Sequence, residues 1–409
     1  MKWFGRKAAR AGGRPFLFSG WPLGGLGTRG LFAGEPWPRS YEAQVRDAYL
    51  GNPVAQRAVR LVAESVAWAP IFAVEEGKDS PSPDRSPGQA GSGRTVGLVT
   101  PVLLETVATQ LLLHGNAFVQ VLQDAEALPA ELFALRPERV TVEADSAGWP
   151  VAYLYKVGPS GSGKGAKTRL PARDGLGRPG LVHLKAAHPL DDHYGLGCLG
   201  AAAAAVAVHN EAAKWNKALL HNAARPSGAL VYDDGYGGLL SAEQFDRMKQ
   251  ETEAQFSGAG NAGRPLLLDG GLKWQAMSLT PAEMDFAGLK AAAAREIALA
   301  FGVPPMLLGL PGDSTYANYR EANRALWRLT VLPMAGRILS GLSGALAAWW
   351  PGLRLAVDVD QISALAEDRE RLWRQVSAAD FLSDSEKREM LGFASGLSAG
   401  GADGDSRSG

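Results

Sequence analysis

The densest group of side chains able to do chemistry is His188-Pro189-Leu190-Asp191-Asp192-His193, with His183 just upstream. Imidazole and carboxylate are the ligand types of zinc and related divalent ions, so this group could hold a metal and make the chain a metal-dependent hydrolase. Adjacent side chains in one loop rarely converge on a single ion, however. The simpler reading gives Asp191 and Asp192 hydrogen bonds in a turn or a cap on the helix that follows, and it is preferred, with the hydrolase as the alternative function. Cys198 beside that helix reads as a small apolar neighbour rather than a nucleophile.

Two nucleotide-binding signatures are approached and missed. Residues 161–168 read GSGKGAKT, with the Lys-Thr of a phosphate loop but Ala166 where its second glycine belongs. Arg169 to Gly180 then holds two prolines and three glycines, so no helix N-terminus follows to receive a phosphate and a hairpin tip is expected. Gly25-Leu26-Gly27-Thr28-Arg29-Gly30 has the letters of a dinucleotide motif, without a strand before it or a helix after it. Gly396-Leu397-Ser398-Ala399-Gly400 has those of a nucleophile elbow, but in a tail that cannot hold the strained turn. No catalytic residue, metal ligand or cofactor is assigned, and the chain is read as a non-enzyme.

Arg320, Arg324 and Arg328 recur every fourth residue and share one face of a helix. Such a row could face DNA, the acids of a neighbouring subunit, or solvent with Glu321 for company.

The elements that carry these groups read as α+β. From Ser40 to Trp68, Val45, Tyr49, Ala55, Val59, Val62 and Val66 recur at helical spacing, and Gly51-Asn52-Pro53 cuts the segment into two helices. Glu75 to Gly97 is Ser/Pro/Gly-rich and reads as a surface loop. Pro101 opens a helix to His114, followed by strand-like runs at Ala117–Leu122, Arg139–Glu143, Val151–Val157 and Leu181–Lys185. The alanine run from Ala201 continues as a long helix, since no breaker intervenes before Pro226. Ser241 and Gln244 form a capping box. Leu266–Asp269 and Lys273–Met277 read as a hairpin around Gly270-Gly271, and Thr280, Pro281 and Glu283 start a helix to Phe301 with Phe286, Leu289, Ala293, Ile297 and Ala300 on its apolar face. A long helix from Tyr316 to Trp349 should kink at Pro333. A last helical region, Ile362–Phe393, breaks near Leu382, with a capping box at Ser383 and Glu386.

Composition narrows the function. Of 409 residues, 46% are hydrophobic and 21% charged, enough apolar side chain for substantial cores. Lys plus Arg and Asp plus Glu are 42 each, so bulk positive charge is not the means of any nucleic-acid contact. The single cysteine excludes an internal disulfide framework. The basic, Gly-rich N-terminus lacks the unbroken apolar stretch of a signal peptide. Leu329–Trp350 is the best membrane candidate, but Arg337, Pro333 and its glycines favour a buried helix, so no membrane partner is expected.

Taken in order, the segments resemble the portal proteins of tailed bacteriophages. The resemblance is carried by Asn52-Pro53 and the helix ending AESVAWAP, LLLHGNAFV at 111–119, LRPERVTV at 135–142, HPLDDHYGLGCL at 188–199, NAARPSGAL at 222–230, NAGRPLLLDGGLKW at 261–274, REIALAFGVPPMLLG at 295–309 and TYANYREANRALWRLTVLP at 315–333. It covers nearly the whole chain. The compact length and the excess of arginine over lysine are most similar to portals of phage-like gene transfer agents.

The resemblance implies a dodecameric ring at one capsid vertex through which double-stranded DNA is packaged and ejected. Its implied partners are further copies of itself, the DNA, the major capsid protein, a head–tail adaptor and the terminase large subunit, which is the packaging ATPase. Its implied place is the portal vertex of a virion or phage-like particle assembled in the bacterial cytoplasm. By segment matching, 1–34 is a disordered basic arm, 35–195 a wing, 196–224 and 281–301 two stem helices, and 225–280 the clip between them. The tunnel loop is then 302–315, the kinked tunnel helix 316–350, a strand returning to the wing 351–360, the crown 361–393 and a disordered tail 394–409. Pro311, Gly312, Asp313, Ser314, Thr315, Tyr316 and Asn318 would approach DNA, and Glu251, Glu253, Asp233 and Asp234 would belong to the docking surface of the clip. A conduit must not grip its DNA, because each neutralised phosphate steepens binding. Zero net charge suits that role, and many of the aligned arginines are expected to pair with acids rather than line the lumen.

Overall fold

The computed structural model describes residues 40–75, 96–158, 166–221, 228–232, 241, 243–244, 246–247, 250, 272–276, 286–310 and 316–391. In chain order the elements are α1 (Tyr41–Val45, continued by a π-helical turn Arg46–Leu50), α2 (Pro53–Ala67), β1 (Ile71–Glu75), α3 (Pro101–Leu113), β2 (Asn116–Gln123), β3 (Pro129–Leu135), β4 (Val140–Ala144), β5 (Pro150–Lys156), β6 (Lys167–Pro171) and β7 (Leu181–Lys185). Then follow α4 (Leu199–His221), β8 (Gly228–Tyr232), β9 (Leu272–Ala276), α5 (Phe286–Ala300), α6 (Tyr316–Leu326), a π-helical turn (Trp327–Val331), α7 (Leu332–Leu346), β10 (Leu353–Val357), α8 (Ala366–Ser377) and α9 (Asp384–Met390). Contacts divide the chain into two units: described residues within Val59–Leu199 and Thr315–Gly409 form one, and those within Trp37–Ala58 and Gly200–Ser314 the other.

In the first unit, β2 is the centre of an antiparallel β3-β2-β7 sheet, with a second sheet β4-β5-β6 and a ribbon β1-β10. β2 is buried without alternation from Asn116 to Val119, as a strand covered on both faces must be. Phe118, Leu135, Val140, Tyr153 and Leu181 form one buried cluster. Phe118 meets Tyr153 edge-on at 5.8 Å and stacks on His183 at 4.2 Å. α3 packs on β2 and β3. Thr100 caps it, its hydroxyl accepting from Leu103 N at 3.2 Å, and Leu103, Leu104, Val107, Ala108, Leu111, Leu112 and Leu113 are all buried. α7 packs on β7 and β10, where the Ser343 hydroxyl donates to Leu339 O and accepts from Leu355 N at 2.8 Å.

One turn design is used three times. Asp124, Asp145 and Asp174 each accept two backbone N–H bonds on Oδ1, from the residues two and four places on, at 2.8 to 3.0 Å. The residue three places after the aspartate has positive φ each time: 58° at Ala127, 85° at Gly148 and 77° at Gly177. Glycine suits that conformation, and Ala127 is the exception.

In the second unit, buried Asn52 caps α2, its Oδ1 accepting from Val54 N and Ala55 N at 3.0 Å. Its Nδ2 donates to Asn210 Oδ1 at 2.8 Å and lies 3.1 Å from His209 Nδ1, so one side chain joins the start of α2 to α4. On α5 the buried positions are Ala293, Ala294, Ile297 and Ala298, with Phe301 just beyond. Leu289, expected on that face, is instead exposed.

Several expectations are corrected. β1, β3 and β6 form where the sequence pattern predicts no strand. The Lys273 strand pairs antiparallel with β8, Tyr232 opposite Leu272, and its expected hairpin partner Leu266–Asp269 lies outside the described residues. In the long helix the turn before Pro333 is widened, Leu332 N donating to Trp327 O, which is the kind of irregularity at which helices bend. A proline there would clash with the carbonyl four residues earlier, and the wider turn relieves that clash. The capping boxes at Ser241/Gln244 and Ser383/Glu386 both form reciprocally.

Candidate functional site

The arginine row lies on the long helix, Arg320 and Arg324 on α6 and Arg328 in the widened turn. Its partners come from the first turn of α8 and from Glu321 on α6 itself. Arg320 Nη1 pairs with the Glu367 carboxylate. Arg324 Nη2 lies 2.6 Å from Glu367 Oε2, Nη1 3.0 Å from Glu321 Oε1, and Nε 3.6 Å from Asp368 Oδ2. Arg328 Nη1 is 4.0 Å from Asp368 Oδ2. Arg324 is the sheltered centre, its side chain 12% exposed against 63% for Arg328. Glu367 and Asp368 also sit where a helix N-terminus favours negative charge. The row is therefore matched by acids of its own chain. Beside it lies a cavity of about 470 Å³ lined by Arg328, Leu332, Asp360, Leu365, Asp368 and Arg369 among others.

The helix Asn318–Leu346 is long and apolar enough, by length and composition, to cross a membrane. Much of that apolar surface belongs to a core: Leu326, Val331, Ala335, Ile338, Leu339, Leu342 and Leu346 are buried.

The His188–His193 segment is built as a turn. Asp191 Oδ1 accepts from His193 N at 2.7 Å and Tyr194 N at 2.9 Å, and His188 Nδ1 accepts from Leu190 N at 3.0 Å. Lys185 Nζ donates to Asp192 O. Among the described residues no three His, Cys, Asp or Glu side chains are placed to hold a metal. Burial pushes the Cys198 thiol up, which disfavours the thiolate a nucleophile needs. The GSGKGAKT stretch joins β5 to β6, which pair from Ala152–Pro171 to Lys156–Lys167, so its Lys167 and Thr168 lie in a strand.

The turn's purpose is visible at Asn116, a buried side chain that sequence reasoning passed over. Its Oδ1 accepts from Gly195 N at 2.7 Å and meets His183 Nε2 at 3.0 Å, while Nδ2 donates to Gly195 O at 3.1 Å. Nδ2 also lies 3.1 Å from His114 Nδ1. A Cβ on Gly195 would overlap Gly115 O and the Ala186 backbone, and one on Gly197 would overlap Leu113 O. Burial lowers the pKa of His114 to about 4. His183 is lowered to about 3, chiefly by burial and further by the charges of Lys185, His114 and His193. The motifs LLLHGNAFV and HPLDDHYGLGCL thus meet at one close backbone junction. The glycines Gly195 and Gly197 were the available signal; Asn116, 79 residues before Gly195, carried none.

Of the residues expected to approach DNA, Pro311, Gly312, Asp313, Ser314 and Thr315 lie outside the described residues, Tyr316 starts α6 and Asn318 is exposed on its first turn. Glu251, Glu253, Asp233 and Asp234 lie outside the described residues, as do the arm 1–34 and the tail 394–409.

Comparison with known proteins gives this framework a class. The profile of the phage portal protein family matches residues 53–392, and the chain belongs to that family. An uncharacterized protein of Rickettsia felis (strain ATCC VR-1525 / URRWXCal2) is 40% identical over 359 residues, covering 85% of this chain and 88% of that one. A probable portal protein of Streptomyces phage phiC31 is 28% identical over 305 residues, 71% of this chain and 62% of that protein. Among solved structures, a chain from the neck of a native gene transfer agent particle, computed with C12 symmetry, aligns with TM-score 0.64 at 44% identity over 88% of this chain and 95% of that one. An HK97 family phage portal protein from Corynebacterium diphtheriae shares the fold, with TM-score 0.50 at 18% identity over 77% of this chain and 97% of that one. The resemblance drawn from the sequence, to portals and to gene transfer agents in particular, is borne out, as is the α+β portal fold.

Proposed function

We propose that this chain forms a twelve-membered ring at one vertex of a phage-like particle, through which double-stranded DNA is packaged and later ejected. The observation that carries this reading is the 44% identity, over 88% of the chain, to a chain in the neck of a particle computed with C12 symmetry. On this reading the protein is structural and performs no catalysis; ATP hydrolysis belongs to the terminase large subunit docked on it. The ring also contacts the major capsid protein and, after packaging, a head–tail adaptor. It is assembled in the bacterial cytoplasm.

Within the ring, 35–195 with 351–360 serves as the wing, 196–224 and 281–301 as the stem, 225–280 as the clip, 316–350 as the tunnel helix and 361–393 as the crown. The pairing of β8 with β9 supports a clip whose two ends are held together. Asp233, Asp234, Glu251 and Glu253 belong to the surface that receives terminase and adaptor, and 302–315 approaches the DNA. Asp313 there repels phosphate, so Asp313→Arg should slow packaging and make it salt-sensitive. Particles produced without this chain test the reading: they should contain no packaged DNA, and normal DNA content would overturn it.

A further inference from the structure

The geometry points to a second role for the arginine row: Arg320, Arg324 and Arg328 form a strip for the phosphate backbone of duplex DNA, covered by Glu367 and Asp368 of α8. The inference rests on the reading that duplex DNA passes the ring. Three guanidinium groups spaced four residues apart on a helix repeat every ~6 Å along its axis, so the strip can meet successive phosphates of one strand. In the structure each is answered by a carboxylate of α8: Arg320 by Glu367, Arg324 by both, Arg328 by Asp368 at 4.0 Å.

The cover is removable by its construction. α8 buries a single side chain, Val376, near its C-terminal end, while the acids that meet the strip sit in its first turn. Glu367 is exposed at 47% and Asp368 half-buried at 33%, so salt and competing phosphates can reach them. Phosphate and carboxylate compete for the same guanidinium faces. While α8 is docked, the strip is neutral and DNA slides past. When α8 is displaced, Glu321 still answers Arg324, and a net two positive charges per subunit face the duplex. The acids of α8 are a built-in competitor that sets how strongly the ring holds DNA.

The test is the double variant Glu367→Gln with Asp368→Asn, titrated with a 30-base-pair duplex at 50 and 200 mM salt. Removing two carboxylates, with Arg324 still beside Glu321, uncovers a net two charges and should steepen the salt slope by about 1.8, so that affinity falls about 12-fold more between those salts than for the parent. Adding Arg320→Gln, Arg324→Gln and Arg328→Gln in the same background should return the parent slope. A slope equal to the parent's in the double variant overturns the proposal, as does a gain that survives loss of the arginines. Hydrogen exchange in the unaltered protein gives a second reading that does not depend on the variants folding. Protection across Ala366–Ser377 should fall as salt rises from 50 to 500 mM, and salt-independent protection overturns the ionic cover. Rings that form and package DNA while these tests fail would remove the strip and leave the conduit standing.

Discussion

Replacing Asn116 by alanine should destabilise the first unit severely, although Asn116 touches no expected DNA-facing residue. The side chain is 1% exposed and answers both backbone polar groups of buried Gly195, at 2.7 and 3.1 Å, as well as His183 Nε2 at 3.0 Å. Alanine leaves the Gly195 N–H and C=O without partners in a place too close-packed for a Cβ at Gly195, and each orphaned buried group costs ~1–3 kcal/mol. The two backbone groups alone amount to about 2–6 kcal/mol, a large fraction of the ~5–15 kcal/mol that typically holds a domain together. Asn116→Asp keeps the shape but replaces the donor Nδ2, facing Gly195 O and the His114 carbonyl, with an acceptor. It should therefore be at least as harmful as alanine. Urea unfolding followed by fluorescence, with hydrogen exchange of β2 and β7, measures both. If both variants stay within ~0.5 kcal/mol of the parent, the junction is not held by this side chain and the reasoning is wrong.

Three more outcomes follow from the same structure. Ala127→Gly should stabilise by about 1 kcal/mol, because φ is 58° there, and Gly148→Ala should destabilise by a similar amount in the matching turn; thermal melts that move the same way for both would contradict this. With His183 held near 3 and His114 near 4, the unfolded chain binds more protons than the folded one between those values and about 6.5. Their contribution is whole above pH ~6.5 and is lost as pH falls, by up to ~2.7 kcal/mol per unit for two protons, so melting temperatures that do not drop from pH 7 to pH 5 would refute the burial argument. Gly195→Ala should give insoluble or unfolded protein on expression, since its Cβ would meet backbone on two sides, and a soluble variant with parental melting would show that the junction has room.

Local signals account for the parts of the fold that the sequence made legible. Thr100-Pro101 starts α3, the Ser383/Glu386 box starts α9, and the Val/Tyr-rich runs give β2, β4, β5 and β7. The parts it hid depend on distant partners. β1 is five residues against a Pro-rich stretch, and it becomes a strand because Leu353–Val357 pairs with it. The row Arg320–Arg328 was plain, but its acids lie beyond another helix and a strand, and no spacing rule connects them. Asn116 and Asn52 look like ordinary turn asparagines, and only the fold shows that each holds two segments together. The likeness to portals was legible because long segments stand in the family's order, a signal that does not depend on knowing what each residue does.

The central claim is a closed ring that carries DNA, and imaging by electron cryomicroscopy of particles containing this chain tests it most directly. The account predicts twelve copies arranged cyclically at a single vertex, with density for duplex DNA on the ring axis in filled particles. A chain found at every vertex, in open or non-cyclic assemblies, or in a ring whose axis is closed in filled particles would contradict it.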